Sequence, residues 1–160
     1  MSRVRWRSAA LAGLVAGIAA TAFQIALWWA SSAPLPATLF RDARLTAAIV
    51  MGRDVLPPPA TLDGTVMLVA TLVHFLLSIA YGLTLALFIS RLDRLPALLA
   101  GASFGLLLYA VNMYGLTFLF PWFAAARDAI TAATHIVFGV TAAAVYKMSL
   151  QRGPGSIGKK

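Results

Sequence analysis

The sequence predicts an all-α membrane protein: a four-transmembrane-helix bundle, built as two duplicated helical hairpins, with both termini on the cytoplasmic side. Two observations carry the class. Of 160 residues, 61% are hydrophobic and only 11% charged, whereas a soluble domain usually carries about 25% charged residues. The few charges bound long apolar stretches instead of being spread among them. A water-soluble fold of this size could not hide so much apolar surface, so lipid is the solvent and the bilayer the first partner.

The spans follow from the gaps between charges. No charged residue occurs between Arg7 and Arg41, and a span needs about 20 apolar residues. The first helix is expected at about 8–30, the second at 64–90, the third at 96–120 and the fourth at 128–147. A cleaved signal peptide is the rival reading of the first, with Ser2–Arg7 as the basic region and Ser31-Ser32-Ala33 as the cleavage site. Its apolar run exceeds the usual h-region, and Gly13-x-x-x-Gly17 suits a retained packing helix, so retention is expected.

Orientation comes from Lys and Arg. Arg3, Arg5, Arg7, Arg91, Arg94, Lys147, Arg152, Lys159 and Lys160 fall on one side, and Arg41, Arg44, Arg53 and Arg127 on the other, nine against four. The positive side is cytoplasmic. The bundle is one domain, 1–150, followed by a basic tail at 151–160 that is expected to be disordered. The segment 31–63 is periplasmic. Within it, Thr38–Met51 fits either an interfacial helix, with Leu39, Leu45, Ile49 and Val50 dipping into lipid, or an irregular loop.

Several functions are excluded or disfavoured. Cysteine is absent, which removes disulfides, thiolate metal sites and cysteine nucleophiles. Phosphate loops and metalloprotease helices are missing, so no enzyme is expected. The net charge of +8 flanks apolar segments and forms no basic face, so no nucleic-acid partner is expected. A homo-oligomer or a larger membrane complex remains open.

The first and third spans can be overlaid. Leu11-Ala12-Gly13-x-x-x-Gly17 matches Leu99-Ala100-Gly101-x-x-x-Gly105, and Gln24 matches Asn112. The second and fourth spans each carry one histidine, His74 and His135. Small residues on one face let backbones approach, so the Gly13/Gly17 and Gly101/Gly105 faces are expected to pack helices, with the first and third spans crossing.

Gln24, His74, Asn112 and His135 lie at a similar depth, about 10 to 16 Å below the outer surface at 1.5 Å per residue. Polar groups in hydrocarbon face the interior and find partners. An inward cluster of Gln24, His74, Ser78, Asn112 and His135 is therefore expected, with Tyr109, Tyr114, Thr131 and Thr134 nearby. Three readings of it stay open. It holds the helices in register, it binds a small molecule, ion or proton, or His74 and His135 ligate haem b as a bis-histidine pair in a redox protein. No metal is expected otherwise, because no carboxylate or thiolate is expected at that depth.

Gly13-Leu14-Val15-Ala16-Gly17, Leu98-Leu99-Ala100-Gly101-Ala102, Gly115-Leu116-Thr117, Pro121-Trp122-Phe123 and His74-x-x-x-Ser78-Ile79 occur in the order found in the YagU-like bacterial inner-membrane proteins, which this chain resembles over most of its length. The sequence departs from them in the first helix, where no charged residue follows Gln24. The resemblance implies a multi-pass protein of the bacterial inner membrane and brings no activity with it. The expected role is non-enzymatic, without a cofactor, accessory to transport or to envelope and acid homeostasis.

Overall fold

In a computed structural model, which describes residues 4–151, the chain is helical with no strand among the described residues. Four helices are long and apolar enough to cross a membrane: Trp6–Ala30, Gly64–Ile89, Arg94–Phe118 and Ala129–Gln151. The chain is a multi-pass membrane protein with an all-α bundle. We label the helices α1 (Trp6–Ala30), α2 (Ala37–Met51), α3 (Gly64–Ile89), α4 (Arg94–Ala110) and α5 (Ala129–Gln151). Helix α5 runs past the expected 147, so only 152–160 of the expected tail lies outside the described residues.

Local chemistry sets the helix ends. Asp63 caps α3, its carboxylate accepting from the backbone N–H groups of Thr65 at 2.9 Å and Val66 at 3.0 Å. Such a cap contributes about 1 kcal/mol. Asp128 accepts from the Thr131 N–H at 2.7 Å at the start of α5. At the other end of the bundle Lys147 donates to the carbonyl oxygens of Ile89 and Ser90, at 3.3 and 3.5 Å. Those carbonyls lie where α3 ends and the i+4 ladder stops, and the Ile89 oxygen also accepts from the Leu92 N–H at 3.1 Å.

The segment between the first two spans folds as a helix. Gly52, at φ 83°, ends α2 in a conformation open to glycine. One face of α2 buries Ala47 against Val66 and Ala70 of α3. The next buries Leu45 against Met113 and Ala126. Leu45 therefore packs into protein, not lipid, and its carbonyl accepts the indole N–H of Trp122 at 2.9 Å. Val50 alone of the four expected lipid-facing residues is strongly exposed, at 68%.

The third span is not one regular helix to 120. Helix α4 stops at Ala110, continues as a π turn over Val111–Gly115, and ends as a 3-10 turn at Phe118. A π turn admits an extra residue and misaligns the carbonyl ladder. Arg127 restores the balance by donating from Nε to the Met113 carbonyl at 2.6 Å. Its guanidinium lies 4.5 Å from the Tyr114 ring centre and bonds the Thr117 hydroxyl at 2.8 Å.

The glycine faces pack helices, but the partners differ from expectation. A Cβ on Gly13 would strike the Ser78 carbonyl, and one on Gly101 would strike the Gly139 carbonyl. Gly17 faces His74 and Ser78, and Gly105 faces the His135 backbone. Each stripe thus meets the second helix of its own hairpin, α1 on α3 and α4 on α5, and the first and third spans do not cross. The reason is that a small-residue stripe specifies a close approach without specifying to what. Gly82 lies against Gly13, and Ala143 against Gly101. Residues at corresponding places of the two hairpins meet corresponding neighbours, so the internal repeat extends to the packing.

The seams between hairpins are unequal. Helices α1 and α5 pack intimately through Ala9, Ala12, Ala16, Ala142 and Ala143, all nearly without exposure. The equivalent pair, α3 and α4, touches sparsely.

Candidate functional site

A cavity of about 330 Å³ occupies the space where α3 and α4 separate. Gln24, His74, Ser78, Asn112 and His135 all line it. So do Tyr81, Thr131 and Thr134. Tyr109 stands behind His135, ring centres 5.8 Å apart. Tyr114 lies outside the cavity, 57% exposed, over Arg127.

On the α4–α5 side the polar groups form one chain. The Tyr81 hydroxyl donates to Asn112 Oδ1 at 3.0 Å, which fixes the amide orientation. The Asn112 amide nitrogen then donates to His135 Nε2 at 3.4 Å. His135 Nδ1 lies 2.8 Å from the Thr131 carbonyl, which can only accept, so Nδ1 carries the proton. Both ring nitrogens of His135 are thereby engaged and the imidazole is neutral. The chain ties α3, α4 and α5 together through the π turn, of which Asn112 is part.

On the α1–α3 side the bonding is looser. His74 Nε2 lies 3.4 Å from the Gly17 carbonyl and 3.3 Å from the Thr21 hydroxyl. The carbonyl places the proton on Nε2 and leaves Nδ1 as a free acceptor. Among the described residues, the Gln24 amide and the Ser78 and Thr131 hydroxyls have no side-chain hydrogen bond, although Ser78 and Thr131 are buried. These groups line the cavity with hydrogen-bonding capacity to spare.

The remaining wall is mostly apolar: Leu77, Leu108, Met113, Phe120, Phe123 and Phe138. Among the described residues no Lys or Arg lines it, and the one carboxylate that does is Asp42 of α2. Helix α2 folds over the bundle end and presents Asp42 to the cavity from outside the four spans. Burial raises the Asp42 carboxyl above its ordinary value of 3.8, against the opposing pull of Arg41. The two form an ion pair at 2.7 Å. Sequence reasoning missed Asp42 and Thr46 because depth was counted along the spans. The polar face of α2, opposite Ala47, was the available signal. Among the described residues no group of three or more His, Asp or Glu could hold a metal ion.

Fold and site together define a multi-pass helical membrane protein with a polar-footed apolar cavity inside the bundle. No family model matches the chain, and neither the curated proteins nor the solved structures contain a match.

Proposed function

We propose that the chain is a bacterial inner-membrane protein of the YagU-like kind, with cytoplasmic termini and α2 at the periplasmic face, that binds a small amphipathic molecule in this cavity. Its role is non-enzymatic, in the handling of such a molecule for transport or envelope homeostasis. One observation carries the reading: Gln24, Ser78 and Thr131 leave polar groups unpaired around an apolar cavity of about 330 Å³. Ligand sites have this composition, apolar walls with a few convergent polar groups. A purely structural cluster would spend its hydrogen-bonding capacity internally, since unpaired polar groups in a low-dielectric interior are costly.

The histidine geometry does not favour bis-histidine haem. An axial bond needs a free ring nitrogen on each histidine. His74 keeps Nδ1 free, but His135 has both ring nitrogens engaged, so the pair lacks its second axial ligand.

Native mass spectrometry of protein purified in mild detergent tests the proposal. A near-stoichiometric extra mass is expected, lost when Leu77→Trp fills the cavity mouth. A parent protein with no bound molecule, and none in its organic extract, overturns it.

A further inference from the structure

The repeat gives the cavity a chemical symmetry that narrows the ligand. Gln24 and His74 come from one hairpin, and Asn112 and His135 from the other, at corresponding positions. Both pairs reach the same cavity, one from the α1–α3 wall and one from the α4–α5 wall. A ligand that uses both walls carries a hydrogen-bonding group at each of two opposite ends.

Charge narrows it further. With no Lys or Arg of the described residues in the lining, a phosphate or carboxylate head would be buried without a counter-charge, which is prohibitive. A cation would have to displace Arg41 from Asp42. A neutral head is left. The unpaired Ser78 and Thr131 hydroxyls can donate or accept, and so suit a carbonyl or a hydroxyl equally.

Shape completes the description. Phe120, Phe123 and Tyr81 offer ring faces and edges, against which a flat ring stacks well. The cavity volume falls at the low end of the range for single small-molecule sites, about 300 to 1,000 Å³. Leu77, a lining residue halfway along α3, is 38% exposed. Leu77 therefore stands between the cavity and the bilayer at mid-membrane depth, beside the sparse α3–α4 seam.

We infer that the cavity takes the ring of an isoprenoid-tailed 1,4-quinone or its quinol, oxygens against the two polar walls, tail leaving past Leu77 into the bilayer. This rests on the reading of the cavity as an amphiphile site.

The test uses the full-length protein in detergent. Trp122 lies 5.4 Å from the Phe120 ring, so a bound quinone should quench its fluorescence. Decylubiquinone is titrated beside decanol, decyl phosphate and decyltrimethylammonium, the last three followed by their competition with it. Saturable quenching by the quinone is expected, with weak competition from the other three. Gln24→Leu and Thr131→Val should each weaken quinone binding about threefold to tenfold, the worth of one hydrogen bond. Neither side chain bonds internally, so both variants should keep the parental melting temperature. That makes lost affinity a report on the ligand, and unchanged affinity in both overturns the inference. If the ammonium, phosphate or alcohol binds as tightly as the quinone, the quinone assignment falls while the amphiphile reading stands. If no probe binds and the native mass shows no adduct, both fall.

Discussion

Gly105 lies flat against the backbone carbonyl of His135, with no room for a Cβ between them. Gly17 differs: a Cβ there would come 2.7 Å from the Ser78 hydroxyl and 3.2 Å from His74 Nε2, both side-chain atoms that can move. Overpacking typically costs about 1 to 3 kcal/mol, more where rigid backbone must yield. Gly105→Ala should therefore lower the melting temperature in detergent clearly more than Gly17→Ala does. Equal melting of the two variants and the parent would mean that the α4–α5 contact is not close.

The Tyr81–Asn112–His135 chain makes a second prediction. Asn112→Leu removes the middle link and strands a hydroxyl and a ring nitrogen. Interhelical hydrogen bonds in membranes contribute about 0.6 kcal/mol on average and up to about 1.7. A loss of stability above that mean is expected, because two bonds go. In a double-mutant cycle, Tyr81→Phe and His135→Gln should show coupling that vanishes in an Asn112→Leu background. Strict additivity of the two in the parent protein contradicts the chain.

Arg127 supports the π turn by occupying the Met113 carbonyl. Arg127→Ala should loosen residues 111–118 while leaving α5 intact. Hydrogen exchange followed by mass spectrometry should then rise at the end of the third span. Unchanged protection there, with the variant folded, would show that the turn holds itself.

Asp42 gives a pH dependence with a definite sign. Its folded-state carboxyl titrates above 3.8 because burial disfavours the charge. The protonated form is therefore the one the fold favours. Its contribution to stability is complete below the unfolded value and is lost as pH rises through the folded one. Asp42→Asn should melt higher than the parent at neutral pH, and the gap should close as pH falls towards about 4. A gap that widens on acidification reverses the sign and shows that the Arg41 ion pair outweighs burial.

Topology follows from the charge asymmetry of nine against four. A reporter fused after Lys160 should be cytoplasmic, and one inserted at Pro57–Pro59 should be periplasmic. The opposite pair of signals inverts the orientation and places α2 in the cytoplasm.

The spans were legible because lipid leaves a chain few options: about 20 apolar residues between charges must form a helix. The polar cluster was legible for the same reason, since Gln24, His74, Asn112 and His135 had nowhere else to point. What the glycines touch was not. Gly13 and Gly101 declare that a backbone comes near, and only the assembled bundle shows it to be Ser78 and Gly139. The break at Asn112 was also hidden, because no proline or charge interrupts Val111–Gly115 and the stabilising Arg127 is remote in sequence. Asp42 escaped because α2 looks like a surface helix until Leu45 is seen buried under Trp122.

The unequal seams bear on what a fused chain can do that a symmetric pair cannot. Two copies of one hairpin meeting as a dimer would have two identical seams, and any substitution sealing one would seal the other. With both hairpins on a single chain, each seam varies independently: alanines close the α1–α5 side while the α3–α4 side stays parted. The molecule consequently has a front and a back within the plane of the membrane. One bearing presents two helices in close contact, and the opposite bearing presents two that barely touch.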